Sequence, residues 1–135
     1  MFRFLLLFEA IGFLLFALLH LGLSLSLGLV VLEEPTRPYA VIVEGIAAFL
    51  LLLGAFAVIT HRSWAWAAAT VAHVLALVGV LWGVVAIQGG RGIHTLLNDT
   101  FHGVMIALLI AGLIYLSTPQ GRREGSQQSN SPGQR

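Results

Sequence analysis

The sequence predicts an all-α fold, a polytopic membrane four-helix bundle, and three observations support it. Hydrophobic side chains make up 58% of the 135 residues and charged ones only 10%, a balance outside the range of soluble domains. Four apolar runs, at about residues 4–32, 39–60, 64–88 and 98–117, reach or approach the roughly 20 residues that a helix needs to cross about 30 Å of hydrocarbon. The loops between these runs are too short to hold a further domain.

The first two predicted helices each carry an acidic residue on one face. At 100° per residue, Glu9, His20 and Ser24 share a narrow sector of the first helix. In the second helix Glu44 lies on the same face as small residues such as Ala48, which allow a neighbouring helix to approach closely. Each helix therefore has one semi-polar stripe to turn towards the bundle interior.

The third and fourth predicted helices show the same arrangement. His73 shares a face with Thr70, whereas Trp64 and Trp82 lie on the opposite face near the helix ends, as lipid-facing tryptophans at membrane interfaces do. In the fourth helix His102 shares its face with Asn98 and Asp99. We therefore expect the histidine faces of both helices to point into the bundle.

The distribution of arginine predicts the orientation. Five of the seven arginines lie on the side shared by the two termini and the second loop, and only Arg37 and Arg91 lie on the other side. Both termini should therefore be cytoplasmic, in a multi-pass protein of an inner or plasma membrane. Residues 1–117 form the bundle, and residues 118–135, which are rich in Ser, Gly, Gln and Pro, are expected to form a disordered cytoplasmic tail.

The second and fourth runs resemble each other, which suggests two related helix hairpins. Their alignment matches three pairs: Glu44 with His102, Gly45 with Gly103, and Gly54 with Gly112. A weaker alignment of the first and third runs places His20 over His73. Either the chain is an internal repeat of the kind found in transport folds, or small and apolar residues coincide by chance.

Helical rise predicts that the intramembrane polar groups form two layers. Counting from Glu33 and from Gln88, His20 and His73 lie about 20 Å below the outer boundary. Glu44 and His102 lie higher, within about 10 Å of the outer surface. Glu9 would be near the cytoplasmic end.

The deep layer suggests a cofactor. Two imidazoles at one depth could hold the iron of haem b, or the magnesium of a chlorophyll-type pigment, between the first and third helices, with His20 and His73 as axial ligands. The alternative is that both are neutral histidines, each making one hydrogen bond that holds helices together.

The shallow layer suggests proton chemistry. Glu44 and His102, with Asp99 nearby, could relay protons in a proton-coupled transporter or bind a quinone head group. The same residues with Met105 could instead bind a metal ion, or Glu44 and His102 could form a polar pair that fixes helix register.

Several function classes lack the residues they need. The chain has no cysteine, which excludes disulfides, iron–sulfur clusters and thiol chemistry. It has no hydrolase, phosphate-loop or zinc-protease motif and no basic aromatic patch for nucleic acid. An enzymatic role stays open, although the chain on its own offers no catalytic set.

Length, four spans and the combination of Arg3, Gly12 and His20 in the first run resemble the DoxX-type small membrane proteins. The resemblance implies association with a respiratory redox enzyme. We therefore expect a small membrane subunit or accessory protein with a redox-linked role, surrounded by lipid and by other membrane subunits or further copies of itself. A proton-coupled or quinone-interacting module and a purely structural subunit are the alternatives.

Overall fold

The computed structural model describes residues 2–92 and 94–126. Its elements in chain order are α1 (Phe2–His20), β1 (Leu25–Leu27), β2 (Val30–Leu32), α2 (Pro38–Ile59), α3 (Ala65–Gln88), α4 (Leu96–Ser117) and the short α5 (Pro119–Ser126). All of α1 to α4 are long and apolar enough to cross a membrane. The predicted all-α four-helix bundle and the multi-pass membrane protein are therefore confirmed.

The four long helices run up and down in chain order, so that α1 packs on α2, α2 on α3 and α3 on α4. The bundle closes where α4 meets α1, and there the rings of Phe16 and Phe101 stack with centroids 3.6 Å apart. We call the end that carries β1 and β2 the hairpin end and the opposite one the α5 end. Between them lies an apolar layer of fully buried side chains that includes Phe13, Leu51 and Leu109.

Helix α1 ends at His20, which corrects the predicted helix over residues 4–32. Gly22 has a φ of +97°, a left-handed conformation that favours glycine and ends a helix. Leucine and serine then alternate through Ser24 and Ser26, the period of a strand rather than a helix. The chain returns at Arg37, whose backbone N–H donates to the carbonyl of His20 at 2.8 Å.

Residues 25–32, which the sequence predicts as part of the first helix, form a β-hairpin instead. Leu25 pairs with Leu32 and Leu27 with Val30, leaving a two-residue turn that begins at Gly28 with a φ of +74°, as a type II′ turn requires. Its leucines and valines are mostly exposed. Open strand edges need water or head groups, so a hairpin this apolar is suited to the membrane interface.

The other helix ends differ less from the prediction. Helix α4 begins at Leu96 rather than at residue 98, since the Thr95 side chain caps it by accepting the N–H of Asn98 at 3.0 Å. The predicted disorder from residue 118 is wrong for α5, where the Thr118 hydroxyl accepts the N–H of Gly121 at 3.1 Å. The rest of the predicted tail, residues 127–135, lies outside the described residues.

Candidate functional site

A cavity of about 490 Å³ lies at the hairpin end of the bundle. It is bounded by the last turn of α1, the loop before α2, the first turns of α2 and α4, and the second half of α3. Most of its wall is apolar. The ionisable side chains among its lining residues are His20, Glu34, Arg37, Tyr39, Glu44, Arg91 and His102.

His20 and Glu44, which both line this cavity, contact each other. The Nδ1 atom of His20 lies 2.9 Å from Oε2 of Glu44, and the two residues are only 4% and 5% exposed. His20 is the last residue of α1 and Glu44 lies in the second turn of α2. The contact therefore joins α1 to α2 and presents an acid and a base together at the cavity wall.

His102 approaches the same cavity from α4. Its Nδ1 atom lies 2.8 Å from the carbonyl oxygen of Asn98, and since a carbonyl only accepts, Nδ1 carries the hydrogen. The Nε2 side of the ring lies against Gly83 of α3, where an added Cβ atom would come within 2.7 Å of Nε2. Glycine at position 83 thus makes room for the ring, and Nε2 is the ring nitrogen left to meet a ligand.

The cavity reaches the outer surface of the bundle between α2 and α3. Ile42 and Trp82 line it, yet they are 58% and 66% exposed on the outer surface of the bundle. Farther from the hairpin end the two helices approach closely: a Cβ atom added at Gly79 would lie 2.9 Å from Val43 Cγ1. A molecule dissolved in the bilayer could therefore reach His102 and Glu44 from the side.

The loop side of the cavity carries both signs of charge. Glu34 is buried and accepts a hydrogen bond from the Thr95 hydroxyl at 2.5 Å, which ties the loop before α2 to the start of α4. Within residues 2–92 and 94–126, no carboxylate forms a salt bridge with Arg37 or Arg91. Both guanidinium groups are thus available at the rim of the cavity.

The structure does not bring His20 and His73 together. His73 lies on α3 with Nε2 at 3.2 Å from Glu9 Oε2, and Glu9 precedes His20 on α1 by about 16 Å along the helix axis. The predicted deep pair is corrected because α1 ends at His20, which puts His20 at the helix end beside Glu44. Neither haem nor pigment ligation by His20 and His73 has support from this arrangement.

Asp99 also lies apart from Glu44 and His102. It contacts Nδ1 of His94 at 3.2 Å, and the two side chains are 47% and 55% exposed. Met105 points elsewhere and packs in the core, where a Cβ atom at Gly12 would lie 3.5 Å from its sulfur. In the part of the chain that the structure describes, no group of three or more acidic or histidine side chains could hold a metal ion.

Of the two alignments that suggested an internal repeat, the structure fits that of α2 with α4 but not that of α1 with α3. Glu44 and His102 are each the seventh residue of their helices, and both line the cavity. Gly54 and Gly112 each lie against α3. His20, however, is the last residue of α1, whereas His73 lies well inside α3.

Sequence reasoning missed the two contacts that organise the polar groups, His20 with Glu44 and Glu9 with His73. Gly22 and the leucine–serine alternation after it were the signals that could have ended α1 at the right place. With that end, the helical rise would have put His20 at the height of Glu44. Comparisons with models of protein families, with curated proteins and with solved structures found no match to this chain.

Proposed function

We propose that this protein binds a lipid-soluble molecule of the quinone class in the cavity at the hairpin end. The observation that carries the proposal is a cavity that reaches the outer surface of the bundle between α2 and α3 and is lined inside by buried acid and base groups. The cavity volume of about 490 Å³ is within the roughly 300 to 1,000 Å³ usual for small-ligand sites. Apolar walls with a few convergent polar groups are also typical of such sites.

The polar groups suit both oxidation states of a quinone head group. With Nδ1 of His102 donating to Asn98, Nε2 of the neutral ring accepts a hydrogen bond from a quinol hydroxyl. When protonated, the same Nε2 donates to a quinone carbonyl. The contact between His20 and Glu44 adds a second group that exchanges protons beside the ligand.

The apolar part of the cavity suits the rest of such a molecule. Phe13 and Phe101 offer aromatic surface at the inner wall, and Trp82 lines the side that opens to lipid. An isoprenoid tail would leave between α2 and α3 and remain in hydrocarbon. A redox-linked accessory role is also what the resemblance to DoxX-type proteins implies.

Tryptophan fluorescence of the purified protein in mild detergent tests the proposal. A short-chain benzoquinone or naphthoquinone should quench Trp82 saturably, because it lies at the cavity. The Trp82→Phe variant should lose this saturable component. Trp64→Phe should keep it, since Trp64 is not among the residues that line the cavity.

A second pair of variants tests the head-group contacts. Glu44→Gln should weaken quinone binding by about tenfold or more, the effect expected when a buried hydrogen bond to a charged group is lost. Glu9→Gln is the matched control, since Glu9 is buried outside the cavity. Absence of saturable quenching in the native protein, or equal affinity in Glu44→Gln and native protein, would contradict the proposal.

A further inference from the structure

Outside the cavity, the bundle buries a second acid–base pair, Glu9 of α1 and His73 of α3. Both residues are 0% exposed. Buried apolar side chains separate the pair from the cavity. On α1, Phe13 lies between Glu9 and His20, and on α4, Leu109 lies between His102 and Gly112, which contacts the His73 ring. The pair therefore does not belong to the ligand site proposed above.

The hydrogen positions of the pair follow from its neighbours. Nδ1 of His73 lies 2.8 Å from the carbonyl oxygen of Ala69, which can only accept, so Nδ1 carries a hydrogen in every charge state. The other nitrogen, Nε2, lies 3.2 Å from Oε2 of Glu9. Without a proton on either atom, two lone pairs would face each other in a space closed to water.

We propose that Glu9 and His73 form a proton-binding site, which holds one proton between Oε2 and Nε2 in the folded bundle. The proton sits either on the carboxyl group or on the imidazole, and both arrangements leave the pair with no net charge. Loss of the proton would leave one uncompensated negative charge inside the bundle, which hydrocarbon surroundings strongly disfavour.

In the described part of the chain, the Glu9 carboxyl group has no hydrogen-bond partner that could share that charge. Phe2 stacks on the His73 ring with centroids 5.7 Å apart, and Gly112 of α4 lies against the ring from another side. Both carboxyl oxygens of Glu9 are buried and make no aligned hydrogen bond with the described residues. Protein atoms therefore enclose the pair, and the proposed proton lies between its two members.

The described ionisable groups on the helices packed around the pair make contacts of their own. On α1, Arg3 is exposed with its guanidinium over the ring of Phe4. On α2, Glu44 contacts His20 at the cavity. On α4, the ring of Tyr115 stacks on Phe2 with centroids 5.3 Å apart. Within the described residues, the salt bridges of the bundle interior are those of His20 and His73.

Infrared and nitrogen-15 NMR spectra of the full chain in detergent or nanodiscs test this site. The infrared difference between native protein and Glu9→Gln reports whether Glu9 is a carboxyl or a carboxylate, and the NMR signals report the protonation of His73. Glu44→Gln is the matched control and should leave both signatures unchanged.

Each combination of signals decides the question. A protonated carboxyl group with a neutral imidazole, or a carboxylate with a doubly protonated imidazole, supports the site. A carboxylate beside a neutral imidazole (no shared proton), or a carboxyl group beside a doubly protonated imidazole (two protons), overturns it at about pH 7. If Glu9→Gln fails to fold, Glu9→Asp, which keeps a carboxyl group and shifts its band, supplies the infrared difference, and the NMR signals of His73 are read in the native chain. A carboxylate band lost in Glu9→Asp together with a singly protonated His73 ring would also overturn the site.

Discussion

Gly112 of α4 lies directly against the imidazole ring of His73 on α3, so that a Cβ atom at position 112 would overlap Nε2 of that ring. The absence of a side chain at Gly112 is what lets His73 reach Glu9 on α1. Three helices therefore meet at one buried polar contact.

Gly112→Ala should destabilise the protein by about 1 to 3 kcal/mol, since the added methyl group forces the ring or the helix to move. The steric cost of the added methyl group therefore has to outweigh the higher helix propensity of alanine, which stabilises the variant by roughly 1 kcal/mol. Thermal unfolding in detergent measures it. Gly103→Ala on the same helix is the control, because nothing lies within 4 Å of its added Cβ atom, and equal stability of the two variants would contradict the packing described.

Gly83→Ala should weaken ligand binding at the cavity rather than unfold the bundle. Its Cβ atom would lie 2.7 Å from Nε2 of His102, so the ring must turn away from the position proposed to meet a quinone head group. We expect an affinity loss of about tenfold, which corresponds to about 1.4 kcal/mol, in the quenching titration. Gly45→Ala, with open space around its added Cβ atom, should bind like the native protein; a similar loss in both variants would contradict the role of His102.

Leu51→Ala should destabilise the bundle by about 2 kcal/mol, because it opens a cavity in the apolar layer between the two polar levels. Leu51 is 0% exposed, whereas its neighbour Leu52 is 42% exposed on the outer surface. Leu52→Ala should change stability little, since lipid fills the space that the side chain leaves. Thermal unfolding of the two variants in the same detergent compares them, and a larger loss in Leu52→Ala would show that the buried layer is not where the structure has it.

The predicted orientation can be tested by single-cysteine labelling, because the chain has no cysteine of its own. The positive-inside rule puts Glu33 on the outer side and His61 on the cytoplasmic side, and both residues are exposed in the structure. In intact cells or spheroplasts, a membrane-impermeant maleimide should label Glu33→Cys at once and His61→Cys only after permeabilisation. The reverse pattern would invert the orientation.

Much of the architecture could be predicted because it depends on local chemistry. The apolar runs gave four spanning helices, and the helical period correctly placed Glu9, His20, Glu44, His73 and His102 on buried faces. The errors began at one boundary. The leucines after Gly22 are apolar enough to extend a membrane helix, but their two-residue alternation and the left-handed glycine favour a hairpin.

The wrong end of the first helix also made the predicted height of His20 in the bundle wrong. Counting from Glu33 put His20 beside His73, whereas α1 ends at His20 and places it beside Glu44. Asp99 was misplaced for a different reason. It shares a face with His102 by periodicity, yet it lies in the first turn of α4, where it contacts His94 at the exposed helix start.

The sequence by itself determined that this chain forms four apolar helices with one polar stripe each, because composition and periodicity act within a single helix. Only the tertiary structure decided which acid meets which base. That choice depends on the axial displacement and spacing of separate helices, which are set by the end of α1 at His20 and by the close approaches at Gly54, Gly83 and Gly112. Periodicity gives the direction in which a side chain points, but it does not give its height relative to a neighbouring helix.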